Sequence, residues 1–181
     1  MTQEIPTEVI KFAGEKHKSQ KVPGTDTNYL LHVSNVAMEI ILAYQENENF
    51  DINYPVQLAL LHDTLEDTGT EFEELAKMFG NSVAIGVQAL TKNTLLISKK
   101  EKMLDSLIRI NQLEKEVGMV KLADRITNLQ ESPKHWRNDK IQNYLKEAAL
   151  INKMLLNKNE YLNNRLQTKI AGYKKYTVQE F

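Results

Sequence analysis

Three short segments carry the residues able to do chemistry. The first is VQLALLHDTLEDT, where His62 and Asp63 follow a run of apolar residues. Glu66 lies four residues after His62 and Asp67 four after Asp63, so on a helix these pairs stack along one polar strip. Leu58, Leu61 and Leu65 fall on the other side. Three carboxylates and one imidazole in such a strip repel one another unless a cation holds them or one keeps its proton. The second segment is MVKLADRITNL. Here Asp124 and Asn128 stack at i, i+4, Lys121 and Arg125 occupy the adjoining strip, and Val120, Leu122, Ala123, Ile126 and Leu129 are core candidates. The third is His32, the one polar side chain inside YLLHV.

Each has a plainer explanation. A lone histidine on an apolar helix is more often a hydrogen-bonded core residue than a ligand. An Asp–Arg neighbour pair such as Asp124 and Arg125 is usually an ion pair. The stretch EDTGTEFEE fits a solvated helix end followed by an acidic first turn, and Glu71, Glu73 and Glu74 are assigned to that role. His135, between Pro133 and Trp136, is assigned to covering a helix start. The plain readings weaken when the three segments are taken together, because an unpartnered buried charge costs several kcal/mol. His32, His62, Asp63 and Asp124 make a mixed nitrogen and oxygen donor set. Such a set suits Mn²⁺, Fe²⁺, Co²⁺ or Zn²⁺ better than Ca²⁺, and the sequence does not choose among them. The chain has no cysteine, which excludes thiolate metal sites, iron–sulfur clusters, disulfides and Cys nucleophiles.

The elements that must position these residues read as helices. The chain has 181 residues, 41% of them hydrophobic, enough for one real core. Its 23 Lys+Arg against 24 Asp+Glu give a net charge of -1, which excludes a generic nucleic-acid coat and a disordered acidic tail. No apolar stretch is long enough to span a membrane, and MTQEIPTEVIKF lacks the basic start and apolar run of a signal peptide, so a cytoplasmic protein is expected. Helical spacing predicts helices over 7–19 (Ile10, Phe12 and Ala13 inward), 30–45 (Leu31, Val33, Ala37, Ile40, Ile41 and Tyr44 inward) and 56–67. Thr70 with Glu73 and Ser98 with Glu101 match capping boxes, Gly80 suits a helix stop, and Asn81 suits the cap of a helix to Leu90. Further helices are expected over 98–115, 117–130, 139–156 and 160–175, with a break at Pro133. The expectation is one all-α domain over 1–181, a compact multi-helix array with its core at about 5–155 and a helical tail at about 157–181. The last two helices carry Leu150, Ile151, Leu155, Leu156, Leu162, Leu166 and Ile170, which either cap the core or pair with another chain, so a homo-oligomer stays open.

The pattern H…HD…D, with its adjacent pair at His62-Asp63, resembles the HD-domain metal-dependent phosphohydrolases. The surrounding strings are more specific. ALLHDTLEDT, FGNSVAIGVQALTK and VKLADRITNL resemble the hydrolase domain of the RelA/SpoT alarmone enzymes and its stand-alone relatives, the small alarmone hydrolases. FAGEKHKSQK…YLLH is similar to that family's opening AHxxQxR…YxxH, and Trp136, Lys140, Tyr144 and Ala148 match a pattern of the stand-alone forms. The resemblance covers roughly residues 5–155.

It implies an all-α HD fold and Mn²⁺-dependent removal of pyrophosphate from the 3′ position of ppGpp or pppGpp, leaving GDP or GTP. By position, it implies His32, His62, Asp63 and Asp124 as ligands of one divalent ion, Mn²⁺ by preference, with Glu66 and Asp67 handling the catalytic water. It implies nucleotide contacts at Asn128 and Lys21. Lys121, Arg125, Lys99 and Lys102 are further candidates for the phosphates, although a lysine run is usually a solvated face and Arg125 could instead hold a carboxylate. The partner implied is a small nucleotide, not nucleic acid or a membrane. Bifunctional members continue into a synthetase region without a counterpart here, so hydrolysis without synthesis is expected. The chain departs from the family pattern at Asn28 and Val33, where proline is usual, at Lys21 and Val22, at Thr127 and at Glu131; these changes read as lying on the nucleotide side. Substrate identity is therefore more open than chemistry. NADPH, cleaved at its 2′-phosphate, is the alternative substrate, and a non-catalytic nucleotide sensor is the alternative class.

Overall fold

The computed structural model describes residues 4–132 and 135–177, with side chains described from residue 7. Pro133 lies outside them. Helix α1 (Glu4–Lys16) buries Val9, Phe12 and Ala13, and His17 directly after it is fully buried. Ile10, expected inward, is exposed, because the i, i+3, i+4, i+8 row runs through Val9 and ends on His17. Residues 20–29 form a small hairpin with Gly24 at φ 81° in its turn, a conformation glycine adopts without strain. Helix α2 (Leu30–Glu46) buries His32, Val33, Val36, Ala37, Ile40 and Ala43. Leu31 and Ile41 flank that stripe and are exposed.

The helix expected over 56–67 is two helices, α3 (Asn53–Leu61) and α4 (Thr64–Asp67). It begins earlier because Asp51 Oδ1 accepts the Asn53 amide at 3.0 Å. It breaks at the motif itself. Asp63 sits at φ -101°, ψ 0°, in the bridge region between helix and extended backbone. The break is supported by side chains. Thr64 Oγ1 donates to the Leu61 carbonyl at 2.7 Å, and His62 Nδ1 lies 2.8 Å from the Ala59 carbonyl.

Helices α5 (Phe72–Phe79) and α6 (Asn81–Leu90) are separated by Gly80 at φ 91°, the expected stop. The Thr70/Glu73 capping box does not form: Glu71 is the N-cap, and Thr70 Oγ1 pairs with Thr68 Oγ1 at 2.7 Å. Asn81 is the first residue of α6 rather than its cap. The Ser98/Glu101 box does form, opening α7 (Lys99–Asn111). Helix α7 stops before Lys115, where α8 (Lys115–Asn128) begins. Helices α9 (Asn138–Met154) and α10 (Glu160–Tyr173) complete the array, followed by a 3₁₀ turn at Lys174–Tyr176.

Helix α8 runs through the middle, buried from Val117 to Val120 and from Leu122 to Thr127, against α2, α3, α6, α7, α9 and α10. Gly86 lets α6 approach α3; a Cβ there would lie 2.7 Å from Leu58 Cδ2. Ile151, Leu155, Leu162 and Leu166 are fully buried in this same core, so α10 caps it, while Leu156 is exposed. Arg165 Nη2 on α10 also bonds Glu39 Oε1 on α2 at 2.6 Å. Among the described residues no strand forms, and no helix is long and apolar enough to cross a membrane.

Candidate metal centre

The break between α3 and α4 faces the first turn of α2 and the C-terminal half of α8, and His62, Asp63, His32 and Asp124 converge there. His32, His62 and Asp124 each present one donor atom, all within 4.8 Å of one another and all buried. His32 Nε2 lies 3.5 Å from Asp124 Oδ1 and 3.8 Å from Asp63 Oδ2. His62 Nε2 lies 3.0 Å from Asp63 Oδ2 and 3.9 Å from Asp124 Oδ1. Yet neither Nε2 makes a well-directed hydrogen bond, although both are buried. Donors at about 2.1 Å from one ion stand roughly 3.0 Å apart at right angles and 3.4 Å apart at tetrahedral angles. His32, His62 and Asp124 thus bring three donor atoms close enough to share one ion, while Asp63 approaches through its 3.0 Å contact with His62 and falls outside that tight group. The residues fit a divalent cation with nitrogen and oxygen preference.

Supporting contacts hold these side chains in place. The Ala59 carbonyl accepts from His62 Nδ1 at 2.8 Å, so Nε2 is the ring nitrogen that turns to the carboxylates. The Tyr29 hydroxyl donates to Asp63 Oδ2 at 2.6 Å. Lys121 Nζ lies 3.0 Å from Asp124 Oδ2, and Asn128 Nδ2 donates to Asp124 Oδ1. Burial opposes a charge on His62, but the Asp63 and Asp124 carboxylates overcome it and lift His62 to about 9. Burial pushes Asp63 upward, and His62 overcomes it, holding the carboxyl below the usual range. For Asp124 burial is likewise outweighed, by Lys121 and the two histidines. The pocket is built to hold positive charge.

Glu66 and Asp67 stand at the rim. Lys92, at the start of the loop after α6, holds Glu66 twice, through its backbone amide at 3.0 Å and through Nζ. Burial and that Glu66 contact act in opposite senses on Lys92, and the net effect raises its pKa. Gln20 Nε2 donates to Asp67 Oδ2 at 2.8 Å. Burial raises the Asp67 pKa, with the charges of Asp63 and Glu66 acting the same way against Gln20 and Lys92. A carboxyl shifted in this direction holds a proton more readily than an exposed aspartate does.

The structure distributes the other expected contacts unevenly. Asn128 is exposed at the site edge while bonded to Asp124. Lys21 lies beside Gln20 on the hairpin, its Nζ 2.6 Å from Asp26 Oδ1. Arg125 is 5% exposed and engaged between helices: its guanidinium stacks 4.4 Å from the Tyr144 ring, and Nη2 lies 3.5 Å from Glu147 Oε2. That is the carboxylate-holding arrangement, with Nε and Nη1 left without a hydrogen-bond partner. No hydrogen bond or ion pair ties Lys99 or Lys102 to the site among the described residues. The departures from the family pattern are not all on the nucleotide side: Val33 is fully buried in the core and Thr127 is buried on α8. Asn28 substitutes for a rigid proline by hydrogen bonding, its Nδ2 to the His17 carbonyl at 3.1 Å and its Oδ1 from the Leu30 amide at 2.8 Å. Sequence reasoning missed Tyr29, Gln20 and the Glu66 role of Lys92. The i, i+3 spacing of Tyr29 and His32 on one helical face was the available signal for the first.

The HD-domain family profile matches residues 10–159. A zebrafish (Danio rerio) guanosine-3′,5′-bis(diphosphate) 3′-pyrophosphohydrolase MESH1 is 36% identical over 165 residues, spanning 88% of this chain and 89% of that one. A pyrophosphohydrolase of the same activity name from Aquifex aeolicus is 36% identical over 121 residues, 66% of this chain but 16% of that longer protein. Among solved structures, a metazoan ortholog of SpoT described as hydrolysing ppGpp superposes with a TM-score of 0.82 at 26% identity, covering 95% of this chain and 97% of that one. The matched region spans every residue of the metal centre and its rim, and this chain therefore belongs to the HD-domain family, in the group that includes the metazoan SpoT homologues.

Proposed function

We propose that this protein is a metal-dependent 3′-pyrophosphohydrolase of ppGpp and pppGpp, with His32, His62, Asp63 and Asp124 as ligands of one divalent ion, Mn²⁺ in the first instance. The observation that carries the proposal is the pair of orphaned, buried Nε2 atoms facing two carboxylates, with Glu66 and Asp67 at the rim. The activity named for relatives that align along most of the chain supports the choice of substrate.

In hydrolysis, water adds to the phosphorus bonded to the ribose 3′ oxygen. That P–O bond breaks, the 3′ oxygen takes a proton, and GDP or GTP leaves with pyrophosphate as the second product. The divalent ion, when bound, supplies Lewis acidity toward a phosphoryl oxygen and makes water more acidic. Asp67, with its raised pKa, accepts the proton of the attacking water and returns it toward the leaving oxygen. Glu66, fixed by Lys92, orients that water. Lys121 offsets the charge of Asp124, and Asn128 and Lys21 are assigned to the nucleotide.

The test is a product profile. Protein stripped of metal and reloaded with Mn²⁺ is supplied with ppGpp, pppGpp and NADPH side by side. Pyrophosphate release with GDP or GTP, lost on chelation, is expected. A larger kcat/KM for NADPH, or no turnover of ppGpp by the loaded protein, rejects the proposal.

A further inference from the structure

Among the described residues, one buried imidazole outside the proposed metal ligands has no part in the chemistry described so far. His17 is 0% exposed at the end of α1. Its Nδ1 lies 2.7 Å from Gln20 Oε1, and Gln20 Nε2 donates to Asp67 Oδ2 at 2.8 Å. A carboxylate oxygen accepts from the amide nitrogen, so the amide oxygen faces His17, and His17 must carry its proton on Nδ1. Its Nε2 is buried without a partner. An unsatisfied buried polar atom is destabilising, a cost that a hydrocarbon in this core position would avoid.

The surroundings hold this chain of contacts taut. The Gln20 amide bonds the His17 carbonyl at 2.9 Å, and the Gln20 carbonyl accepts the Tyr29 amide at 2.9 Å. The Tyr29 ring packs 5.1 Å from the His17 ring and 5.0 Å from the His32 ring, and its hydroxyl reaches Asp63. Gln20 and Tyr29 are thus joined through the backbone. One reaches the rim acid and the other a metal ligand.

We infer that His17 is a positioning residue that acts through Gln20 on Asp67, setting the orientation of the proton-accepting carboxylate. This rests on the hydrolase reading of the site for its kinetic consequence, but the hydrogen-bond chain itself does not. His17 orients the amide by donating from Nδ1, and the oriented amide presents only a donor to Asp67. Without the Nδ1 donor, the Gln20 amide is free to turn over and present its oxygen to a carboxylate, which repels it.

The variants His17→Asn and His17→Gln separate this role from packing. The amide nitrogen of Asn falls near the position of Nδ1, and that of Gln near Nε2. Melting temperature and Mn²⁺ affinity are measured for every variant. His17→Gln and Gln20→Leu are expected to lower kcat about 10- to 100-fold, the range for lost outer contacts, with KM within about twofold. His17→Asn is expected to recover most of kcat. Equal kcat losses in His17→Asn and His17→Gln, or losses that track melting temperature alone, overturn the inference. A second readout does not depend on turnover: ¹⁵N chemical shifts of the His17 ring in the intact protein. A proton on Nδ1 that shifts in Gln20→Leu supports the chain, and a proton on Nε2 overturns it. Absence of ppGpp turnover in the parent protein with the expected ring tautomer rejects the hydrolase reading and leaves the hydrogen-bond chain standing.

Discussion

The strongest quantitative expectation concerns protons released when the metal binds. Asp63 and Asp124 hold His62 protonated to about pH 9, against the desolvation of a fully buried ring. A divalent ion needs the same Nε2 as a lone pair, so it must displace that proton. With a pKa of about 9, the neutral ring is roughly one part in a hundred at pH 7 and about a quarter at pH 8.5. Apparent Mn²⁺ affinity should therefore rise about 25-fold over that interval. A histidine at the ordinary value of about 6.5 would give a rise of only about 1.3-fold. Isothermal titration of metal-stripped protein, in two buffers of different ionisation enthalpy, counts the protons directly. About one proton should leave per ion at pH 7, against about a quarter for an unperturbed ring. The sign for stability follows from the same shift. The folded pKa is raised, so the stabilisation is full below about pH 6.5 and lost as pH rises through about 9. Between pH 6.5 and 8.5 the metal-free protein should lose on the order of 2 kcal/mol, a fall of roughly 4–8 °C in melting temperature. Saturating Mn²⁺ should oppose that fall, increasingly at the higher pH. Affinity flat between pH 7 and 8.5, with only a small fraction of a proton released, would refute the charge balance assigned to the pocket.

Three further outcomes test separate parts of the site. Tyr29→Phe removes the 2.6 Å hydrogen bond to Asp63 and should weaken Mn²⁺ binding about 10- to 100-fold by titration, with helical content unchanged. Glu66→Gln and Asp67→Asn should each lower kcat for ppGpp about 10²- to 10⁴-fold while the stoichiometry of bound Mn²⁺ stays the same; full activity of the double variant would remove both residues from the chemistry. Arg125→Ala should cost about 2–4 kcal/mol in chemical denaturation, because it deletes the stack on Tyr144 and the reach to Glu147. KM for ppGpp should change less than about twofold in that variant.

The all-helical class was legible because helical spacing persists along the chain and the Ser98/Glu101 box and Gly80 stop are local, side-chain-coded signals. The capping box at Thr70 failed because threonine hydroxyls have competing local partners, here Thr68. The four expected metal residues were legible as polar groups in apolar context. The continuous helix expected through them was not correct: the chain breaks at His62-Asp63, and α4 starts only at Thr64. Spacing read on an unbroken helix therefore set Glu66 and Asp67 near the metal residues by an incorrect route. The lysines show the opposite failure. The sequence groups Lys99, Lys102, Lys121 and Arg125 as candidate phosphate cations, but the fold gives Lys121 to Asp124 and Arg125 to Tyr144 and Glu147.

The sequence by itself determined the residue types that could bind an ion, the helices that carry most of them, and the exclusion of sulfur chemistry, since each depends on identity and local period. Only the tertiary structure decided which partners those residues take. His17, Gln20 and Tyr29 come to Asp67 and Asp63 across 34 or more positions of sequence, through a hairpin folded back onto the break in the α3–α4 segment. Such contacts depend on how helices cross and where a backbone kinks, and helical periodicity reports which face is apolar but not what that face meets.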